Sequence, residues 1–306
     1  MVDIKKIKDR GSQLDFYIRK ILEQVYDDRT EDYPTHRNLK LRVIDALRSI
    51  GNEELASTIE SCQEGNRCES NWCKDCRNSI SESYYSTLTR HSADYGTDNT
   101  DYLHVTALIG LCDVSVAGVN QVLKEEESRW RRIRGRKFGR DYYFDVIYEL
   151  ELINWRFLQE ASYGSDKKKE QIAQLRYNAG HFFNDISLLV HWHGITNAPR
   201  ETLTEIFKED YYLGSHGQGR VRINKTHQSG LYVQHLHETK TLDENLRKIA
   251  SYPFKDSFRF KHSYEGSDFR SGEYFTREEL GKLVEVYQEV QGPRRKRLRR
   301  HSYPKK

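Results

Sequence analysis

Four of the five cysteines crowd into one short segment, Cys62-x5-Cys68-x4-Cys73-x2-Cys76, and nothing else in the chain constrains its local fold so tightly. Arg67, Asn71, Lys74, Asp75 and Arg77 lie among these thiols, a setting too polar to bury them as ordinary apolar core. The opening residues Met-Val-Asp-Ile-Lys-Lys have no apolar run behind them and do not read as a secretory signal. In a reducing compartment such a cluster argues for metal before disulfide. Zinc takes four thiolates in a tetrahedron, and a Cys-x2-Cys pair presents two of them from one turn. The expectation is a structural Zn²⁺ held by Cys62, Cys68, Cys73 and Cys76.

Charge is the second constraint. The chain has 306 residues, with 50 Lys and Arg against 46 Asp and Glu, a formal net charge of +4. Eight of the basic residues lie between Pro293 and Lys306, with no acid among them. Seven more, Arg129, Arg131, Arg132, Arg134, Arg136, Lys137 and Arg140, form a second block that also lacks acids. The remaining 35 basic residues face all 46 acidic ones, so an acidic body carries two concentrated basic segments. That pattern points to a polyanion met at defined places. No apolar stretch approaches the ~18 residues that would span a bilayer, and a soluble, cytoplasmic protein with no membrane partner is expected.

Periodicity divides the chain. Leu14 to Val25 and Leu39 to Ile50 recur at helical spacing. The polar stretch from Ser92 to Asp101 reads as a linker closing a helical accessory region, residues 1–100. From Tyr102 strands and helices alternate. Leu103–Leu111, Tyr142–Ile153, Ile186–His193 and Gly230–His237 read as strands; Val116–Ile133, Lys168–Ala179, Glu201–Glu209 and Leu242–Ser251 read as helices. This order predicts an α+β domain over residues 101–290, with helices packed on a sheet. Residues 291–306 are expected to form a flexible basic tail.

One strand carries His191-Trp192-His193. Side chains alternate along a strand, so the two imidazoles share one face while Val190, Trp192 and Gly194 take the other. Two imidazoles completed by a carboxylate make a divalent-metal site, and the Tyr148-Glu-Leu-Glu-Leu152 strand offers Glu149 and Glu151 on a common face. His235-Leu236-His237 has the same form, but polar neighbours bracket it, whereas Leu188-Leu189-Val190 places the first triplet in a central strand. Tyr252, in Tyr252-Pro-Phe-Lys255, is the candidate nucleophile: a phenol can attack a phosphate when a neighbouring cation or metal assists.

Taken in order, Leu103-His-Val-Thr-Ala-Leu-Ile-Gly110, Tyr148-Glu-Leu-Glu151, His191-Trp-His193 and Tyr252-x-x-Lys255 resemble the rolling-circle replication initiators of the HUH endonuclease superfamily, plasmid members of which carry a cysteine-rich segment ahead of the first strand. The resemblance covers residues 60 to 260. It implies a central antiparallel sheet with the triplet on a central strand and a nicking and joining domain over residues 101–290. It implies Mg²⁺ or Mn²⁺ on His191 and His193, with Glu149 or Glu151 as third ligand. Tyr252 would attack a DNA phosphate, leaving a free 3′-hydroxyl and a 5′-phosphotyrosine, and Lys255 would neutralise phosphate charge or help ionise the phenol. Partners would be single-stranded or hairpin origin DNA and the host helicase and polymerase.

Transesterification needs no nucleotide cofactor, and no GxxxxGK[ST] loop is present in the sequence. Two features depart from the family pattern. Pro253 disfavours helix at Tyr252, so the nucleophile helix must end or begin there. Ala107 and Ile109 interrupt the first-strand pattern. Tyr264 is the fallback nucleophile. The basic block would hold the DNA backbone, with Trp130 and Phe138 stacking on unpaired bases, and the tail would be a phosphate-binding arm. A transposase or relaxase would share the nicking chemistry. A non-catalytic, zinc-dependent DNA-binding regulator would need only the cysteines and the basic segments.

Overall fold

The computed structural model describes residues 39–136, 142–154, 171–173, 175–176, 186–210, 230–251, 275–291 and 299–302. In chain order the elements are α1 (Leu39–Ser49), α2 (Glu53–Glu60), α3 (Lys74–Ser92), a 3₁₀ turn (Asn99–Asp101), β1 (Leu103–Cys112), α4 (Val116–Arg136), β2 (Phe144–Asn154), β3 (Ile186–Thr196), α5 (Arg200–Asp210), β4 (Leu231–His235), α6 (Leu242–Ser251), α7 (Arg277–Gln291) and β5 (Arg299–Ser302). The fold is α+β. Its sheet has the order β4-β1-β3-β2-β5, and every neighbouring pair is antiparallel.

β3 is the middle strand, and it and β2 are buried over almost their whole length. That burial explains why both read as near-continuous apolar runs: helices cover both faces. On one face α4 packs against Trp192, whose indole N–H donates to Glu126 at 3.0 Å. On the other, which carries His191, His193, Glu149 and Asp145 by register, α3 brings Tyr84 Oη to 3.4 Å from Asp145 Oδ1. α6 packs on α3 and reaches β3, and the Ser81 hydroxyl donates to the Ala250 carbonyl at 3.3 Å. The face with the paired histidines is therefore the α3 face, and the opposite one is the α4 face.

The helices ahead of residue 100 share one continuous hydrophobic core with the sheet, running from Val43 to Val290. α7 closes it by packing along α1, where Arg277 Nε lies 2.8 Å from Asp45 Oδ2. Sequence periodicity did not identify α7, although its start is marked. Thr276 and Glu279 form a reciprocal capping box, with the Thr276 amide donating to Glu279 at 2.8 Å and the Glu279 amide to Thr276 Oγ1 at 3.2 Å. The stretch read as a linker is also more structured than its polarity suggests, because Asp98 and Asp101 cap the 3₁₀ turn.

The C-terminal segment corrects an expectation. Residues 299–302 are not a free arm: they form β5 and pair with Phe144–Ile147 of β2. Basic and polar residues suit an edge strand, where one side of the backbone is left to solvent. The expected N-terminal helix over Leu14–Val25 lies outside the described residues. Of the helix expected over Lys168–Ala179, residues 171–173, 175 and 176 are described and are helical.

Gly281 sets how closely α7 approaches α1. A Cβ there would come within 2.6 Å of the Ala46 carbonyl oxygen, a backbone atom that cannot swing aside. Gly281→Ala should destabilise the fold by about 1–3 kcal/mol through overpacking. A denaturant midpoint unchanged from wild type would show that the helices separate freely.

Candidate metal centres

Two groups of side chains could each hold a metal ion. The first is the cysteine segment. Cys62, Cys68, Cys73 and Cys76 are all buried, with their sulfurs within 4.8 Å of one another. Neighbouring pairs are 3.4 Å (Cys62–Cys76), 3.6 Å (Cys68–Cys76) and 3.6 Å (Cys62–Cys73) apart. A disulfide would bring two sulfurs to about 2.05 Å. Four thiolates about 2.3 Å from a shared zinc sit roughly 3.8 Å from each other, so the spacing is that of a tetrahedral site.

Local backbone explains the convergence. Gln63 and Asn66 exchange backbone hydrogen bonds, folding the chain back between Cys62 and Cys68. Cys73 is the N-cap of α3 and Cys76 lies in its first turn, so the start of the helix presents the Cys-x2-Cys pair. Burial pushes the Cys62 thiol up, but the Cys68 amide and the hydrogen bonds of the neighbouring thiols outweigh it and bring its pKa down to about 7. Burial pushes Cys68 and Cys76 up.

The second centre is Glu149, His191 and His193, all buried, with one ligand atom from each within 4.8 Å of the others. Glu149 Oε2 lies 3.0 Å from His193 Nε2 and 3.3 Å from His191 Nε2. Ligands about 2.1 Å from one ion, at right angles, stand roughly 3.0 Å apart, which these separations match. His191 Nε2 is buried and makes no hydrogen bond. A buried ring nitrogen that faces a carboxylate without a hydrogen bond between them suits a bound cation. The register explains the geometry: Glu149 is directly opposite His191, and His193 is opposite Thr106 of β1. Thr106 Oγ1 lies 3.0 Å from His193 Nδ1. With Thr106 accepting from Nδ1–H, Nε2 keeps its lone pair for a metal.

Glu151 shares the face but stands further off, 3.9 Å from His191 Nε2. Geometry thus separates the two glutamates that the sequence left open. The rival triplet does not converge. His235 ends β4 and is exposed, and His237 lies beyond it with Nδ1 3.0 Å from the Thr239 hydroxyl. An open pocket of about 570 Å³ lies beside His235, at the sheet end lined by Tyr95, Asp101, Asn197, Arg200 and Glu201, away from both metal centres.

The part of the basic block from Arg129 to Arg136 is the C-terminal end of α4, the helix that packs on the face opposite the histidines. Arg129 is turned inward as an ion-pair partner of the fully buried Glu126, and Arg131 pairs with Glu127 at 2.8 Å. Trp130 does not stand ready to stack on bases. It is only 5% exposed and packs edge-on against Phe144, with ring centroids 4.9 Å apart, and beside Trp192. The i, i+3 periodicity that made it a helix-face residue also made it core. Arg134 and Arg136 lie on α4; Lys137, Phe138 and Arg140 fall outside the described residues, as do Tyr252, Lys255 and Tyr264.

Sequence reasoning missed three contributors. Thr106 reads only as part of a strand. Glu126 reads as one acid in a charged helix, yet its carboxylate holds the triplet's tryptophan. Tyr287 of α7 packs edge-on against Trp72 in the cysteine segment, and burial and the charge of Glu149 push its phenol up. Each is set by pairing between distant segments, which local patterning does not carry.

No protein-family model, curated protein or solved structure matches the chain.

The full chain should bind one Zn²⁺ through the cysteines, releasing protons as thiols ionise, and hold it more weakly at pH 6 than at pH 8. Cys76→Ser that retains full zinc by metal analysis would refute the assignment. At the second centre, Glu149→Gln should weaken Mn²⁺ binding at least about tenfold and Glu151→Gln much less, read by titration calorimetry. Equal losses would mean that both glutamates are ligands.

Proposed function

We propose that the protein is a metal-dependent DNA-nicking enzyme of the HUH type, acting to start rolling-circle replication. The observation that carries this reading is the convergence of His191, His193 and Glu149 on two adjacent central strands of an antiparallel sheet. It is supported by a candidate phenol placed directly after α6 in the sequence. That helix ends at Ser251 and packs on α3, the helix covering the same face. The chain order of cysteine segment, first strand, metal strands and Tyr252-x-x-Lys255 supports it as well.

In this reading Tyr252 Oη attacks a phosphorus of single-stranded or hairpin origin DNA. A new P–O bond to the phenol forms, the P–O3′ bond breaks, the phenol loses its proton and the leaving 3′ oxygen gains one. One phosphodiester replaces another, which removes any need for ATP. A divalent ion on His191, His193 and Glu149 would polarise the phosphate and stabilise its developing charge. Two imidazoles beside one carboxylate suit Mn²⁺ better than Mg²⁺, which prefers oxygen ligands. Thr106 orients His193, Glu126 holds the strand through Trp192, and Lys255 neutralises phosphate charge. The four-cysteine centre is a closed structural zinc site.

Incubating the full chain with Mn²⁺ and a randomised pool of single-stranded oligonucleotides should yield a protein–DNA adduct that survives denaturation and is absent in Tyr252→Phe. An adduct retained by Tyr252→Phe would move the nucleophile to another tyrosine, Tyr264 first. Zinc-dependent DNA binding with no adduct under any metal would replace the enzyme with a non-catalytic regulator.

A further inference from the structure

Tyr287 of α7 touches one candidate metal centre and lies in the field of the other. Its ring meets Trp72 edge-on, with centroids 6.4 Å apart, and Trp72 belongs to the loop that Cys68 and Cys73 close. Asn71, the loop residue before it, is buried with its side-chain amide beside the Tyr287 hydroxyl. Burial and the charge of Glu149 push that phenol up, so the carboxylate of the second centre acts on the same hydroxyl.

The course of α3 agrees with this placement. Followed backwards, the helix and the residues after it advance along β2: Tyr95 stacks on Tyr143 at 5.3 Å, His91 Nδ1 lies 3.6 Å from Asp145 Oδ2, and Tyr84 Oη lies 3.4 Å from Asp145 Oδ1. The same direction carries the first turn, with Cys73 and Cys76, past Asp145 and towards Glu149. α7 meanwhile holds Tyr287 from a base that involves neither donor set. Arg277 pairs with Asp45 at 2.8 Å, the Asn52 side chain donates to Glu285 at 2.7 Å, and Gly281 seats against the Ala46 carbonyl.

We propose that Tyr287 is a positioning residue that couples the two centres: zinc on the four cysteines holds Asn71 and Trp72 against Tyr287, Tyr287 keeps water from Glu149 on that side, and the loaded cysteine site thereby tightens cation binding at Glu149, His191 and His193. The inference rests on the reading of both groups as metal centres and needs no step of the nicking chemistry. Without zinc, the loop between Cys68 and Cys73 loses the bonds that close it, and the wall behind Tyr287 opens. Water beside Glu149 raises the local dielectric and weakens its attraction for a cation. Coupling of this kind is reciprocal, so an ion at the second centre tightens zinc at the first by the same factor.

The test is Mn²⁺ titration of the full chain by calorimetry, with the cysteine site either loaded with a single equivalent of Zn²⁺ or emptied by a zinc-selective chelator. Folding of every form is followed by circular dichroism, and zinc content by metal analysis. Wild type should bind Mn²⁺ at least about fivefold more tightly with zinc present, the lower end of ordinary coupling between sites. Tyr287→Phe keeps the ring on Trp72 and removes only the hydroxyl that Asn71 and Glu149 act on. It should retain its zinc and its fold, and the zinc effect on Mn²⁺ should shrink to about twofold or less. Trp72→Leu, which acts from the loop side, should shrink it likewise.

A zinc effect of wild-type size in Tyr287→Phe would overturn the assignment, because the link would then run through charge or global folding. So would Mn²⁺ affinity in wild type that ignores zinc, or a loss in Tyr287→Phe of equal size with and without zinc. If the zinc-free chain unfolds, the loaded state decides: Tyr287→Phe and Trp72→Leu should each weaken Mn²⁺ binding, and the double variant by no more than the larger single loss, whereas additive losses would overturn the coupling. A folded wild-type chain that binds no Mn²⁺ in either state would remove the reading of the second centre and this inference with it. Binding of Mn²⁺ without dependence on zinc would remove this inference alone.

Discussion

The pairing register of β2 with β3 is the constraint on which the second metal centre depends. With a period of two, a slip of one residue would move His191 and His193 to the α4 face and leave Glu149 on the other. Several contacts pin the register at one end of the pair. Thr196 Oγ1 donates to the Tyr143 carbonyl at 2.7 Å, and the Tyr143 amide donates to Asn197 Oδ1 at 2.8 Å. Between them and the histidines lies Gly194, where a Cβ would come within 2.8 Å of the Asp145 carbonyl oxygen and 2.5 Å of Val146 Cγ1. The strands close up at this glycine as no other residue would allow, and they do so at the position next to His193.

The middle residue of the triplet anchors the second layer. Trp192 is fully buried, and its indole N–H ends on a carboxylate that is itself fully buried and ion-paired with Arg129. Removing one partner of a buried charge pair typically costs about 3–5 kcal/mol, because the other charge is left uncompensated. α4 is therefore fixed to β3 at the point where β3 presents its two imidazoles on the reverse side. The first arginine of the basic block is committed to this anchorage. Any polyanion contact made by the block would begin further along the helix than Arg129.

Strands, helices and the donor sets were legible because each rests on a local rule. Alternation puts His191 and His193 on one face of their strand and Glu149 and Glu151 on one face of theirs; cysteine spacing marks the thiol group. Choosing between the glutamates requires the register, which is set by strands more than thirty residues apart. Choosing between the two His-x-His triplets comes closer to a sequence decision, because an apolar run before the first one predicts a central strand, and β3 is central. The tail departs from its expectation for a physical reason: a densely charged segment looks solvated by composition, but an edge strand needs only one paired side and tolerates arginine on its faces. Trp130 departs because an aromatic in a basic helix end can face either solvent or core, and helical spacing alone leaves that open.

The two centres solve different electrostatic problems. At the cysteines, a polar loop surrounds four soft donors that fill a tetrahedron, so a zinc ion there has no open position and serves the fold. At the sheet, Asp145, Glu149 and Glu151 are buried on a single strand, and isolated buried carboxylates are costly. Asp145 is relieved by Tyr84 and by His91, whose Nδ1 lies 3.6 Å from Oδ2. Glu149 has the two imidazoles as its ion-pair partners, and the short His193–Glu149 contact needs a proton that a divalent cation would displace. Three protein ligands leave half of an octahedral ion's positions open, unlike the cysteine site. An open centre embedded in a carboxylate-rich face attracts cations and repels anions until it is loaded. Metal occupancy would then be the condition for an anionic ligand to approach this face.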